Sequence, residues 1–167
     1  TLAPAAWGEY LRLRGSLSAR RGRPAEAYHD FAQSATSLDL LGEATVTQDE
    51  ADAYAARCAD AIATLAGAVP AWPARPVLEH DFAGPVPRAN VSVKISALTP
   101  LIRPSAPELG AGDASRRLVP LLRQARDAGA HLHIDMESVD TLETTLLLVP
   151  EMLADPEFRD GPSTGVV

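Results

Sequence analysis

Segments typical of strands alternate with segments typical of helices along most of this chain, and that order limits the folds open to it. The strand-like segments lie at 36–44, 90–98 and 131–136, and residues 165–167 resemble the start of a fourth. Such alternation predicts parallel strands joined by helical crossovers, either in a doubly wound sheet or in a (β/α)₈ barrel. No G-x-G-x-x-G motif follows any of these strands, which weakens the dinucleotide-binding alternative.

The length of the chain limits how much of a barrel it can form. A complete (β/α)₈ barrel takes about 250 residues, whereas this chain has 167. We therefore expect an α/β fold with a partial TIM-like barrel of the first three to four βα units, occupying residues 36–167 and truncated at the fourth strand. Residues 1–35 are predicted to form short helices, one around 7–13 and a second at 24–35 with Pro24 at its first position.

The first long helix has a clear start signal and one apolar face. Thr47 and Glu50 have the spacing of a capping box. The apolar face behind this box consists of Tyr54, Cys58, Ile62 and Leu65. Because Cys58 is the only cysteine, the chain has no internal disulfide, and its place on the apolar face predicts a small core residue instead of a nucleophile.

Two further helices are predicted between the later strands. Asp113 or Ser115 is expected to cap the first of them, which Gly129 ends. Its apolar stripe is Leu118, Leu121, Leu122 and Ala125. Ser138 is expected to cap the second, and Pro150 should kink or shorten it. The apolar residues of this second helix are Leu142, Leu146, Val149 and Leu153.

The overall charge and hydropathy exclude some classes of function. The formal net charge of −7 disfavours nucleic acid as a partner, since phosphate binding needs a basic surface. No apolar run approaches the roughly 20 residues that span a bilayer, and no signal peptide is recognisable at the start. The expectation is a cytoplasmic protein.

The predicted strands each place polar residues on one face and apolar residues on the other. In the first strand Asp39 and Glu43 lie on one face, together with Leu41. In the second strand the polar face carries Ser92, Lys94 and Ser96, and in the third His131, His133 and Asp135. Lys94 stands out because the other fourteen of the fifteen basic residues are arginines.

The polar face is expected to be buried, because strands that alternate with helices form sheets covered on both sides. A buried charge is costly unless it is paired, so Lys94 should meet one of the carboxylates Asp39, Glu43 or Asp135. Glu43, Ser96 and Asp135 end their predicted strands, where barrel active sites lie. A solvated polar face and a buried ion network of purely structural role are the alternatives.

His131 and His133 allow a different interpretation. An H-x-H pair on a strand points both imidazoles to one face and can contribute to a metal site, as in metal-dependent hydrolase barrels. Here the pair lies near the amino end of the third strand, which favours packed side chains on the barrel floor. A third hypothesis is a non-catalytic helical interaction module in which the sheet is incidental.

Three short motifs, in order, resemble those of the proline dehydrogenase family. The run SVKISAL at 92–98 is similar to a family strand, S-V-K-L-S-A-L, that supplies an active-site lysine. DLLGEA at 39–44 resembles the first-strand motif D-x-L-G-E-A, and HIDME at 133–137 resembles the third strand. TGVV at 164–167 matches the approach to the fourth-strand motif. In two departures, Thr99 stands where the family often has histidine, and Met136 replaces a usual alanine.

The resemblance implies a flavoenzyme that binds FAD non-covalently at the carboxyl mouth of a distorted (β/α)₈ barrel. Such an enzyme oxidises L-proline to 1-pyrroline-5-carboxylate by hydride transfer to FAD and passes the electrons to a membrane quinone. By motif, Lys94 would help to hold the substrate carboxylate, and Asp135 would position Lys94 and the substrate beside the flavin. Glu43 would pair with a late arginine and gate the pocket, and Asp135 and Met136 would lie next to the cofactor.

The resemblance also implies how the chain relates to a larger protein. It matches the amino-terminal half of the proline dehydrogenase domain, so the chain alone is expected to be inactive. The sequence around Lys94 looks closest to bifunctional proteins that fuse this domain to an aldehyde dehydrogenase. Use of a membrane quinone extends the expected location to the inner face of a membrane, as a peripheral protein.

Overall fold

A computed structural model describes residues 36–40, 44–74, 76, 79–82, 84–136 and 138–166. The short helices predicted within residues 1–35 and the candidate Glu43 lie outside this range. The side chain of Asp39 also lies outside it, although its backbone is described.

Six strands and four helices are described. The strands are Thr36–Asp39 (β1), His80–Asp81 (β2), Gly84–Pro85 (β3), Ala89–Lys94 (β4), His131–Asp135 (β5) and Thr164–Val166 (β6). The helices are Gln48–Ala68 (α1), the single turn Ile95–Leu98 (α2), Pro107–Asp127 (α3) and Val139–Leu153 (α4). Short 3₁₀ turns at Val69–Ala71 and Pro156–Phe158 follow α1 and α4.

The main sheet is parallel throughout and has the strand order β1-β4-β5-β6. Helices connect its strands, while β2 and β3 form a separate antiparallel ribbon in the connection before β4. This arrangement confirms the predicted α/β fold with the first strands of a partial barrel. Among the described residues, none of the helices has the length and hydropathy needed to cross a bilayer.

The core lies between the sheet and the helices that cover one of its faces. Val91 and Val93 of β4 and Leu132 and Ile134 of β5 are 0% exposed. The predicted apolar face of α1 is buried against them, and each such side chain stabilises the fold by about 1.5–3 kcal/mol. Since the sheet supplies the centre of the core, the hypothesis of a helical module with an incidental sheet is not favoured.

Helix α1 begins as the sequence predicts. The Thr47 hydroxyl accepts a hydrogen bond from the Glu50 amide, and the Glu50 carboxylate accepts one from the Thr47 amide. The amide hydrogen bonds from Val46 and Thr47 to this carboxylate lower the pKa of the Glu50 carboxyl.

The prediction of a strand through Leu98 was wrong, because β4 ends at Lys94 and the chain turns at once into α2. The residues of this turn that made the segment strand-like are Ile95, Ala97 and Leu98, and all are 0% exposed. A short apolar run does not distinguish a buried strand from a buried helical turn. Ser96 therefore lies in α2 and does not end the strand.

The predicted start of α3 was also wrong. The helix begins at Pro107, whose fixed φ suits a first helical turn, and Ala106 precedes it without a side-chain cap. Asp113 and Ser115 are thus inside the helix. Asp113 is buried and makes tertiary contacts in place of a cap.

Helix α4 starts after Ser138 and buries Val149 as predicted, but the rest of its buried face differs from the prediction. The helix is not shortened at Pro150, since it continues to Leu153. Leu146 and Leu153 are 61% and 39% exposed. The buried residues are Thr141, Thr144, Thr145, Leu148, Val149 and Met152.

Close packing between α3 and α4 explains why this helix buries threonines. A Cβ on Gly110 of α3 would lie 3.2 Å from Thr144 Cγ2, so the contact requires small side chains. The Thr145 hydroxyl donates to the carbonyl of Thr141 at 2.8 Å, which lets it be buried without losing a hydrogen bond.

Candidate functional site

Lys94 and Asp135 meet at the carboxyl end of two neighbouring strands. The register of β4 and β5 pairs them directly, and Lys94 Nζ lies 3.2 Å from Asp135 Oδ2. The lysine side chain is 8% exposed and the aspartate side chain 26% exposed. The site thus has a nearly buried cation whose carboxylate partner still reaches solvent.

The ion pair offsets the cost of removing a charged lysine from water. Of the three carboxylates predicted as partners of Lys94, Asp135 makes this contact. Asp39 lies level with Ser92 in the strand register, two residues before Lys94, and its side chain and Glu43 are outside the described residues. The catalytic roles of Lys94, Asp135 and Glu43 stay predictions.

Contacts from the start of α1 fix the point where β4 becomes α2. The amide of Lys94 donates to the Tyr54 hydroxyl at 3.1 Å. The carbonyl of Ser96 accepts from the Thr45 amide at 3.1 Å and lies 3.3 Å from the Thr45 hydroxyl, which also donates to it. Helix α1 and the loop before it are thereby tied to the backbone on the two sides of Ile95.

A second polar cluster, formed around Asp113, was not predicted as part of the site. The Thr99 hydroxyl donates to Asp113 Oδ2 at 2.6 Å, and Arg117 Nη1 donates to the same oxygen at 3.2 Å. Arg117 Nη1 also donates to the carbonyl of Leu98 at 3.1 Å, so α3 holds the end of α2. The i, i+4 spacing of Asp113 and Arg117 is the sequence signal that indicates this ion pair.

His131 and His133 lie on the same sheet face as Lys94, toward the amino end of β5, and pack against the backbone of β6. Their ring centroids are 5.9 Å apart, and His131 Nδ1 shares a hydrogen bond of 2.8 Å with the Ser163 hydroxyl. A Cβ on Gly165 would lie 3.1 Å from His133 Nδ1 and 3.3 Å from His131 Nε2. Burial, together with the neighbouring His133, lowers the pKa of His131.

The histidine pair does not form a recognisable metal centre. Within the described part of the chain, no group of three or more His, Cys, Asp or Glu side chains is arranged to hold a metal ion. Protein metal sites of the catalytic zinc type use three such ligands. The metal-dependent hydrolase hypothesis is therefore not favoured.

Cys58 occupies the core position that its place in α1 predicts. It is 0% exposed, and burial raises the pKa of its thiol to about 11. Since the thiolate is the reactive form of cysteine, this environment makes Cys58 a packing residue.

Known proteins share both the sequence and the fold of this chain. A family model described as proline dehydrogenase matches residues 25–167. The bifunctional protein PutA of Salmonella typhimurium is 31% identical over 131 residues, which are 78% of this chain and 9% of that protein.

Solved structures of similar proteins agree with the parallel fold. Proline utilization A (PutA) from Bdellovibrio bacteriovorus superposes with a TM-score of 0.75 at 29% identity, over 84% of this chain and 15% of that one. A mutant of Bradyrhizobium japonicum proline utilization A gives a TM-score of 0.64 at 26% identity, over 84% and 14%. The chain therefore spans between 9% and 15% of the length of these relatives. With a family match over most of its length and a fold shared with these proteins, the chain belongs to the proline dehydrogenase family.

Proposed function

We propose that this chain forms part of the substrate site of an FAD-dependent proline dehydrogenase, which oxidises L-proline to 1-pyrroline-5-carboxylate. The observation that carries the proposal is the nearly buried Lys94 ammonium, which Asp135 holds at 3.2 Å where two parallel strands end. Barrel enzymes place their active sites at this end of the strands. The complete protein, and not these 167 residues alone, would carry the activity.

Lys94 supplies the charge that a proline carboxylate needs. An ammonium with little access to water forms a stronger charge-assisted hydrogen bond with a carboxylate than an exposed one does. Asp135 keeps the ammonium in place between turnovers, so that the site does not hold an unpaired buried charge. A carboxylate substrate would add a negative partner beside Asp135.

The described residues fit one wall of a flavin site. Asp135 is partly exposed on the sheet face that carries Lys94, and Met136, also partly exposed, follows directly after β5. We expect these two residues to contact FAD, which supplies the hydride acceptor when bound. The family match supports the assignment of this cofactor.

Other parts of the proposal concern the complete protein. Glu43 would pair with an arginine from a later helix and gate the pocket, and the domain would begin near residue 36 after a helical segment. The electrons would pass to a membrane quinone, which suits a cytoplasmic protein that docks peripherally on the inner membrane face. The bifunctional relative supports a second, fused activity, for which we propose an aldehyde dehydrogenase.

The first test is an anaerobic absorbance spectrum of the complete natural protein, purified with FAD, before and after addition of L-proline. Bleaching of the flavin band would support both the cofactor and the half-reaction. If the flavin stays oxidised in the presence of proline, the substrate belongs to another chemical class. A protein that binds no flavin would contradict the proposal.

The second test is the substitution Lys94→Ala in the complete protein. Loss of a charge-assisted contact should raise the KM for L-proline by roughly 10- to 100-fold while the bound FAD content stays unchanged. The matched control is Arg159→Ala, which removes one positive charge from an exposed position. Equal KM values for wild type and Lys94→Ala would refute the role of Lys94.

A further inference from the structure

We propose that Tyr54 is a positioning residue for Lys94: its hydroxyl fixes the backbone from which the lysine side chain reaches the substrate. The inference rests on the proposed function, because it assumes that Lys94 binds the proline carboxylate. Tyr54 was expected only as one of the apolar residues on α1.

The hydroxyl of Tyr54 bonds the backbone of Lys94 beyond the last described pair of β1 and β4. The register of β1 and β4 is described as far as Asp39 beside Ser92. Two residues later, the Lys94 amide donates to the Tyr54 hydroxyl at 3.1 Å. Tyr54 is 1% and Lys94 6% exposed, and a buried amide without an acceptor is costly.

The backbone of Lys94 is a junction that needs such a contact. Lys94 has extended dihedral angles, φ −103° and ψ 125°, and the next residue, Ile95, already belongs to α2. No side chain caps this helical turn at its start. A shift of the junction would move the lysine Cα, and with it the Nζ that must stay within 3.2 Å of Asp135 Oδ2.

Helix α1 can act as a rigid support for the hydroxyl. Its start is fixed by the capping box of Thr47 and Glu50, and its buried face is anchored in the core by Ile62 and Leu65. The aromatic ring of Tyr54 fills core space, and a phenylalanine would fill the same space. The hydroxyl is therefore the part of the residue that the positioning role requires.

The test is Tyr54→Phe in the complete, FAD-loaded protein. We expect the KM for L-proline to rise about 3- to 10-fold, the effect of one lost hydrogen bond, while kcat changes less than twofold. Titration calorimetry with cyclopentanecarboxylate, a proline-sized carboxylate without an amine to oxidise, should show the same weakening in its dissociation constant. This binding measurement does not depend on turnover.

Two comparisons separate positioning from a general loss of packing. The control Ile62→Val alters the same buried face of α1 two turns later and should leave the affinity for the carboxylate unchanged. In a Lys94→Ala background, Tyr54→Phe should cause no further loss, because a residue that acts through Lys94 has nothing left to position.

Three outcomes would overturn the inference: unchanged affinity in Tyr54→Phe, an equal loss in Ile62→Val, or an undiminished loss in the Lys94→Ala background. A Tyr54→Phe protein that fails to fold or to bind FAD would also overturn it, since the hydroxyl would then support the whole domain. Failure of the proposed function itself would give a different result, because L-proline would then not reduce the flavin of the wild-type protein.

Discussion

The pairing of Lys94 with Asp135 limits which substitutions each of the two positions tolerates. A buried pair contributes little net stability, but removal of one partner leaves an uncompensated charge and costs about 3–5 kcal/mol. Lys94 is the more buried of the two, so a change at Asp135 should disturb the site more than its partial exposure implies. Variants at Asp135 therefore need a stability measurement beside any kinetic one.

His131 makes stability depend on pH in a defined window. Its pKa is lowered in the folded state by burial and by His133, so the unfolded chain binds the proton more readily. Stability from this group is present above the unfolded pKa of about 6.5 and is lost as pH falls toward the folded pKa. We expect the urea concentration at the unfolding midpoint of the complete protein to decrease when the pH is lowered from 7.5 to 5.5.

The substitution His131→Gln should reduce that fall, because the side chain no longer titrates. Glu50 and Glu157 also have shifted pKa values, but theirs are lowered from 4.5 and so act below this window. Urea denaturation at both pH values, monitored in wild type and variant, checks the prediction. An identical pH dependence in the two proteins would assign the effect to other groups.

At the scale of the elements, α1 and α3 hold opposite ends of the turn α2. Helix α1 contacts the backbone of Lys94, and the loop before it contacts that of Ser96. Helix α3 contacts the carbonyl of Leu98 through Arg117. The turn that follows the candidate lysine thus has a support on each side. Its position depends on how the two helices pack on the sheet.

Asp113 is the residue through which α3 provides its support, and Asp113→Ala should destabilise the domain. Its side chain is 3% exposed, and the substitution would leave Arg117, 10% exposed, and the Thr99 hydroxyl without this acceptor. Arg117 keeps its ion pair with Asp52 at 2.6 Å, so the loss should be that of the buried hydrogen bonds, about 1–3 kcal/mol. Each kcal/mol lowers the unfolding temperature by about 2–4 °C in a domain of roughly 150–250 residues. Thermal unfolding of the complete protein measures it.

Arg116→Ala is the matched control for that prediction. Arg116 is bonded to the same carboxylate, but its side chain is 69% exposed, and exposed ion pairs contribute at most about 1 kcal/mol. The unfolding temperature should change little. Equal losses in the two variants would mean that burial of Asp113 is not what gives the cluster its strength.

At the scale of the whole molecule, strand–helix alternation was enough to predict the parallel fold. The apolar faces of α1 and α3 followed from helical periodicity, since most of their buried residues are apolar. Periodicity did not predict the whole buried face of helix α4. Threonines whose hydroxyls bond their own helix can be buried while leucines remain exposed. Periodicity predicts which residues share a face, but it does not show which face a close-packed neighbour will cover.

The contacts of the candidate site were also only partly predictable from the sequence. The pairing of Lys94 with a carboxylate followed from the cost of a buried charge. The contacts of Tyr54 and Asp113 did not, because they join residues 40 and 14 positions apart in the sequence. Such contacts depend on how helices are placed in three dimensions, and no local pattern encodes that placement.

The scarcity of lysine allows Lys94 to be modified selectively. Lys94 is the only lysine among the 167 residues, so amine-directed reagents have a single side-chain target in this part of the protein. Reductive methylation of the complete protein, followed by peptide mapping, should modify Lys94 slowly because its side chain is 8% exposed. Bound cyclopentanecarboxylate should slow the reaction further, and an unchanged rate would indicate that the ligand lies elsewhere. The methylation rate of one amine would then report occupancy of the proposed proline site without any enzymatic turnover.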